Sequence, residues 1–306
     1  MSETTPPLHA VNTEYLPPEL TRLGRWRRSS WHFTRTQPFG AAGLAVIAVM
    51  TALAVFAPLI AQHDPTDFSR DILAEPSSDH FFGTTRQGRD IFSRVLYGGR
   101  VSLGIGLSTV IVSLLGGTLL GLIAGYLKGP ADLLLSRAAE VIISLPAIIF
   151  ALVLATALGK GISTLIIAIS VIFTPPIFRI MRGAVLQESA QQYVEAARVV
   201  GASQMRIILR HLLPNLAGLM IITASATLPA AILTEAGLSF LGVGVKVAEP
   251  SWGGDLGGQA RQFFVQAWWI AVFPGLALSL TVLAFNLLGD SLRDVMDPRL
   301  RGSGLQ

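Results

Sequence analysis

The fold of this chain is organised around one polar stretch, residues 187–215, which reads QESAQQYVEAARVVGASQMRIILRHLLPN. It is the most polar run in the second half of the chain, and it lies between two long apolar segments. Its EAA triplet begins at Glu195, Gly201 follows, and a basic and apolar run then ends at Pro214. This order predicts a helix, a glycine break, a second short helix and a proline stop.

The composition indicates a membrane protein. The chain has 306 residues, of which 51% are hydrophobic and only 14% charged, whereas soluble domains carry about a quarter charged residues. There is no cysteine, so disulfides and thiolate metal sites are excluded. The basic balance could indicate nucleic acid, but the basic residues flank apolar segments, where retention on the cytoplasmic side explains them. We therefore expect membrane lipid and no nucleic acid as a partner.

Hydropathy predicts an all-α polytopic protein with six transmembrane helices. Each apolar segment is long enough to cross the hydrocarbon core, which takes about 20 residues. Most of the 23 Lys and Arg residues fall on the side of the N-terminus, which places both termini and the polar stretch in the cytoplasm. The predicted spans lie near residues 39–61, 100–126, 132–158, 163–185, 216–240 and 268–290.

The region before the first span, residues 1–38, is predicted to be a cytoplasmic tail. Within it, residues 21–36 combine arginines with interleaved aromatic residues, a pattern typical of a helix that lies in the membrane interface. A disordered basic tail is the alternative. The membrane domain then covers residues 39–302, and the polar stretch 187–215 is a cytoplasmic loop within it.

The second predicted span carries a stripe of small residues at a spacing of four, which includes Gly117, Gly121 and Gly125. Such a stripe lets helix backbones approach closely in lipid. It predicts a packing face, either within the chain or with a partner chain. Pro146, the pair Pro175-Pro176, Pro229 and Pro274 are predicted to interrupt spans three to six.

Few charged residues lie in the predicted spans. Arg137 and Glu140 form an i,i+3 pair near Asp132, and Glu235 lies towards the outer end of the fifth span. Their positions near the interfaces favour structural pairing over a proton relay. A transporter driven by an ion gradient would be expected to carry a series of carboxylates at mid-membrane, and the sequence has none.

Motifs for catalysis are absent from the sequence. It has no GxxxxGK[ST] phosphate loop, no HExxH and no GxSxG. Its five histidines show no metal-ligand spacing; they are His9, His32, His63, His80 and His211. We therefore predict a transport subunit that is not an enzyme, with no catalytic residue, no metal site and no cofactor of its own.

Four sequence blocks carry a resemblance to a known family. EAARVVGASQMRIILRHLLPN (195–215) resembles the EAA loop of ABC importer permeases, which docks on the ATPase subunit. The blocks at residues 82–106, 233–256 and 268–302 resemble the second-subunit type of dipeptide, oligopeptide and nickel permeases, and all four occur in the same order. The resemblance implies the type I ABC importer permease fold in the bacterial cytoplasmic (inner) membrane.

The resemblance also implies a set of partners and a function. The partners are a second homologous permease subunit, two ATPase subunits that bind ATP and Mg²⁺, and an extracytoplasmic substrate-binding protein. The implied function is ATP-driven import of di- or oligopeptides. Nickel, a sugar or another oligomer remains an alternative cargo. A transporter driven by an ion gradient and a purely structural subunit are the rival classes.

The residues of the polar stretch suggest how it would couple to an ATPase. Gly201 can end the first helix in a left-handed conformation, and Ser203 can cap the second. Arg206 and Arg210 suit an acidic rim on the partner, and Pro214 fixes the turn into the fifth span. The predicted coupling residues are Glu195, Ala196, Ala197, Gly201, Ser203, Arg206, Arg210, Leu213 and Pro214.

The apolar sides of the two short helices are predicted from their spacing. Tyr193, Val194 and Ala197 would form that side on the first helix. On the second helix it would consist of Met205, Ile208 and Leu209. An ordinary amphipathic cytoplasmic loop is the alternative interpretation of the whole stretch.

Overall fold

A computed structural model describes residues 34–245 and 249–296 of the chain. This part is helical apart from its connections, which contain one isolated bridge between Thr84 and Asp90. The predicted tail falls outside the described residues up to residue 33. The helices are α1 Pro38–Val55, α2 Ala57–Ile60, α3 Ile91–Leu122, α4 Gly129–Ser144, α5 Ala147–Leu158, α6 Ile162–Glu188, α7 Gln192–Val199, α8 Gln204–Ile207, α9 Leu213–Phe240, α10 Trp252–Leu256, α11 Gly258–Phe263 and α12 Trp269–Met296.

Five helical segments of the described chain are long and apolar enough to cross a membrane. Two of them include π-helical turns, one after α3 and one between α8 and α9. The segments are Pro38–Val55, Ile91–Leu127, Ile162–Glu188, Gln204–Phe240 and Trp269–Met296. The pair α4 and α5 gives a sixth if it is counted as one broken span. The all-α, multi-span architecture predicted from hydropathy is therefore confirmed.

The segment predicted as one continuous third span is broken. Helices α4 and α5 meet at an angle of 96°, and Leu145 between them has an extended backbone. The cause is Pro146, which has no N–H to donate and which disfavours a helical conformation in the residue before it. By contrast, α6, α9 and α12 continue through their prolines, so the predicted interruptions there are wrong.

Helix α3 begins at Ile91, nine residues before the predicted start of the second span. The reason is an N-cap: the Asp90 carboxylate accepts a hydrogen bond from the backbone N–H of Ser93 at 2.8 Å. The first turns of α3 therefore extend into a region that hydropathy assigned to a loop.

Helices α3 and α6 pack closely against each other, and glycines make this close approach possible. A Cβ atom on Gly117 would lie 2.7 Å from the Ile177 side chain, and one on Gly121 would lie 2.8 Å from Met181. Gly125 similarly faces Val185. The glycine stripe is thus a packing face within the chain, where the backbones of two spans approach closely.

Polar segments lie at the two opposite ends of α9. This helix has 28 residues and is therefore about 42 Å long. At its C-terminal end are residues 61–90 and 249–268, called here the connecting segments. Trp252 in them donates its ring N–H to the Val95 carbonyl near the start of α3. At the N-terminal end is the loop, residues 189–212, packed on the last turns of α3 and α6.

Candidate functional site

The first half of the loop is helix α7, which ends in a Schellman motif. Gly201 has a φ of +78°; its N–H donates to the Arg198 carbonyl at 2.9 Å, and the Ala202 N–H donates to the Ala197 carbonyl at 3.0 Å. A Cβ atom on Gly201 would meet nothing within 4 Å. Glycine is therefore favoured there by its backbone conformation and not by a lack of space.

The second half of the loop runs into α9 without a turn. Ser203 caps α8, with its hydroxyl 3.4 Å from the Arg206 backbone nitrogen. The π-helical turn Ile208–Leu212 follows, and Pro214 comes directly after it as the second residue of α9. The predicted proline stop is thus replaced by continuous helix from Gln204 to Phe240.

The buried side of the loop differs from the predicted apolar sides. Val194 and Ile207 are buried together with Leu212 in a cluster that includes the ends of α3 and α6. Met205 and Leu209, predicted for the apolar side of the short helix, are instead exposed by 64% and 54%. The prediction for these two residues was wrong because a four-residue helix followed by a π turn does not keep the 3.6-residue period on which it relied. Val194, Ala197 and Ile208 do lie on the buried side, as predicted.

The outer side of the loop presents both apolar and charged side chains. Val199 and Val200 are 87% and 82% exposed at the end of α7. The predicted coupling residues on this side are also exposed, whereas Ala197 and Leu213 are half-buried; the exposed ones are Glu195, Ala196, Gly201, Ser203, Arg206, Arg210 and Pro214. The exposed surface of the loop is therefore apolar at Val199 and Val200 and positively charged at Arg206 and Arg210. It lies over the buried cluster described above.

A polar network joins three elements at the base of the loop. The Tyr193 hydroxyl donates to Glu188 at the end of α6 at 2.5 Å. The Asn215 amide, in α9, donates to the Tyr193 oxygen at 2.7 Å and to Glu188 at 3.3 Å. Partial burial raises the pKa of Tyr193, and the hydrogen bond with Glu188 adds to the rise, so the hydroxyl keeps its proton.

Ion pairs fix the neighbouring helix ends. Asp132 in α4 accepts two hydrogen bonds from the Arg182 guanidinium in α6, a bidentate pair between elements that the sequence did not predict. Arg137 and Glu140 form the predicted i,i+3 pair at 2.8 Å. Arg198 also lies over the Tyr126 ring, 5.4 Å from its centroid, and so ties α7 to the end of α3.

With this geometry established, the chain can be compared with known proteins. Residues 117–302 match the family model described as "Binding-protein-dependent transport system inner membrane component". The chain belongs to this family. Residues 24–76 of the permease also match the "N-terminal TM domain of oligopeptide transport permease C".

Curated relatives of the permease cover most of its length. A putative peptide transport system permease protein of Brucella suis is 42% identical, over 86% of this chain and 88% of the relative. The di/tripeptide transport system permease protein DppC of Pseudomonas aeruginosa is 39% identical over 85% and 88%. The glutathione transport system permease protein GsiD of Escherichia coli is 42% identical over 90% and 92%.

Family membership confirms the fold class and the location predicted from the sequence. The permease is a multi-pass protein of the inner membrane and an ABC transporter subunit, a membrane channel component and not a catalytic enzyme. The solved MetNI methionine ABC transporter matches at a TM-score of 0.48 and 21% identity, over 64% of this chain and 94% of that one.

Sequence reasoning missed the network of Glu188, Tyr193 and Asn215. Tyr193 was assigned to an apolar face, yet its hydroxyl is the part that makes the contacts. The available signal was that the three residues stand near ends of α6, α7 and α9, where polar side chains can meet across a short loop.

Proposed function

We propose that this permease and a second, homologous permease subunit form the transmembrane pathway of a binding-protein-dependent importer for di- or oligopeptides. Two separate ATPase subunits bind ATP and Mg²⁺ and dock at the loop, and an extracytoplasmic binding protein delivers the peptide. The termini and the loop lie in the cytoplasm, in keeping with the excess of Lys and Arg on that side.

The observation that carries the proposal is the exposure of apolar side chains on a loop with a well-packed base. Val199 and Val200 are almost fully exposed, while Val194 and Ile207 beneath them are buried. An exposed apolar group rimmed by charge on a rigid support is typical of a protein-binding surface. Arg206 and Arg210 add positive charge for an acidic partner.

The helix path supports a mechanical link from this surface to the pathway. Because Gln204–Phe240 is one continuous helical segment, a displacement of α8 moves the start of α9 directly. The hydrogen bonds of Tyr193 with Glu188 and Asn215 join α7 to α6 and α9 as well. Closure of the ATPases would thereby rock two spans together and alternate access to the pathway.

The assignment of peptide as cargo rests on the relatives. Two of them are described as peptide or di/tripeptide permeases, and a third as a glutathione permease. A peptide with free termini is therefore the first substrate class to test, with glutathione next. Nickel and sugars remain the alternative cargoes.

The test is uptake by the complete complex reconstituted in proteoliposomes with its binding protein. We expect accumulation of labelled di- or tripeptide that requires internal ATP and Mg²⁺ and continues in the presence of an uncoupler. Uptake that survives without ATP and stops with the uncoupler would instead assign the permease to transporters driven by an ion gradient. The purified permease alone should hydrolyse no ATP.

Two variants at one position separate docking geometry from loop folding. Gly201→Val places a β-branched residue at positive φ, at a cost of about 1–3 kcal/mol, and should abolish ATP-driven uptake while insertion in the membrane is retained. Gly201→Asn is the matched control, because asparagine tolerates this conformation, and it should keep most of the uptake. Normal uptake by Gly201→Val would contradict the role of the break.

A further inference from the structure

Three metal-ligating side chains converge where the connecting segments meet the start of α3. His63 follows α2, His80 lies within residues 61–90, and Asp90 is the N-cap of α3. One ligand atom from each lies within 4.8 Å of the other two. Residue spacing in the sequence gave no sign of this cluster, because long irregular segments bring the three together.

The distances in the cluster suit a small divalent cation. Nδ1 of His80 and Nδ1 of His63 lie 2.9 Å and 3.9 Å from the same carboxylate oxygen of Asp90. Ligands at about 2.0–2.2 Å from a tetrahedral Zn²⁺ stand roughly 3.3 Å apart, a value between the two. The His63 nitrogen is too far from Asp90 for a direct hydrogen bond, and its ring lies beside that of His80, with the ring centroids 4.8 Å apart.

The surroundings orient two of the three ligands. The second oxygen of Asp90 accepts a hydrogen bond from the Ser93 N–H at 2.8 Å, and the other ring nitrogen of His80 faces Asp71 at 3.6 Å. A carboxylate near the second nitrogen of a histidine ligand favours one orientation of the ring. His80 and Asp90 are buried, whereas the His63 side chain is 43% exposed, which leaves an entry path for an ion.

We propose that His63, His80 and Asp90 form a binding site for a divalent transition-metal ion, with Zn²⁺ as the preferred ion. Two imidazoles and one carboxylate are ligands that Zn²⁺ accepts, and water from the exposed side completes the coordination. The bound ion joins the beginning, the middle and the end of the segment 61–90. It therefore stabilises this segment, whatever cargo the permease carries.

The site is tested on the full-length permease in lipid nanodiscs, stripped of metal with EDTA. Zn²⁺ is titrated by calorimetry, and Co²⁺ replaces it for visible absorption spectra. We expect one equivalent of Zn²⁺ per chain, d–d bands of Co²⁺ that Zn²⁺ abolishes, and a higher Tm with Zn²⁺. No binding, or binding that leaves no Co²⁺ bands, would overturn the proposal.

Single substitutions identify the ligands. His63→Gln removes the exposed ligand and leaves the hydrogen bond between His80 and Asp90 in place, so the variant should fold and bind Zn²⁺ at least tenfold more weakly. His211→Gln, at the other end of α9, is the matched control and should bind as the unmodified chain does. Equal affinities for the two variants would overturn the proposal, even if His80→Gln or Asp90→Asn, which also perturb the α3 N-cap, were to unfold the chain.

Discussion

The two ends of α9 are built differently. At its C-terminal end, polar groups of the connecting segments are paired with the start of α3: Arg94 in α3 forms hydrogen bonds with Asp255 at 2.5 and 2.9 Å and with the Pro65 carbonyl at 3.0 Å. Trp269 donates to the Thr84 carbonyl at 3.2 Å. At the N-terminal end, the loop keeps its charged side chains on the outside.

The apolar side chains of the loop follow a different rule from those of the connecting segments. Trp252 in the connecting segments and Trp269 at the start of α12 are buried, at 2% and 3% exposure. By contrast, Val199 and Val200 at the end of α7 are nearly fully exposed. The first end pairs Arg94, Asp255 and Trp269 with other groups of the chain, as expected of a part that must hold its shape. Under the proposed function, an ATPase subunit covers the second end.

The largest expected effect is at the connecting segments. Arg94→Ala leaves Asp255 buried without its cation, and breaking a buried pair from one side costs about 3–5 kcal/mol. The apparent Tm in nanodiscs and resistance to proteolysis would report the loss. The control is Arg70→Ala, which changes an exposed arginine of the segment 61–90 and should alter stability by less than about 0.5 kcal/mol.

If Arg94→Ala and Arg70→Ala had the same apparent Tm, the expectation would be contradicted. The double variant Arg94→Ala with Asp255→Ala sharpens the test, because it removes both charges. It should be more stable than Arg94→Ala alone.

A smaller effect is expected between the two ends, where α3 packs on α6. Gly117→Ala would bring a Cβ atom within 2.7 Å of Ile177 and 3.0 Å of the Phe178 backbone nitrogen, and should cost about 1–3 kcal/mol. Gly116→Ala is a close control, since its Cβ would lie 3.6 Å from the nearest atom, in Thr174. If heat unfolding of the two variants coincided, close packing of α3 on α6 would be refuted.

The smallest effect on stability is expected at the base of the loop. Tyr193→Phe removes the hydroxyl between Glu188 and Asn215 and should cost about 0.5–1.5 kcal/mol, because these hydrogen bonds are near solvent. If the network transmits motion, the variant should lower peptide uptake per ATP hydrolysed, with little change in Tm. An unchanged ratio of uptake to hydrolysis would show that the network only positions α7.

Hydropathy and the positions of helix-ending residues were sufficient to predict the number of membrane-spanning segments and the end of α7. Six apolar segments could be predicted because a span needs only length and composition, and Gly201 marked the helix end because few residues adopt a positive φ. The break at Pro146 could not be told from the unbroken helix at Pro175. Both are prolines in apolar surroundings, and only tertiary packing decides whether the helix continues.

The details of the site depended on contacts that sequence spacing does not encode. Ile207 and not Met205 is buried because a π turn follows α8 and changes the helical period. His63, His80 and Asp90 meet because the chain between them folds back without regular structure. Such irregular segments have no periodicity from which a contact could be predicted.

We propose that the loop, and not the connecting segments, receives the ATPase. Val199 in the loop and Val265 in the connecting segments are 87% and 96% exposed, so each can be changed to glutamate with little effect on folding. The measurement is the amount of ATPase subunit that co-purifies with each variant from membranes. We expect the amount of co-purified ATPase to fall at least tenfold for Val199→Glu and to remain unchanged for Val265→Glu. Equal retention by both variants, or loss caused only by Val265→Glu, would contradict it.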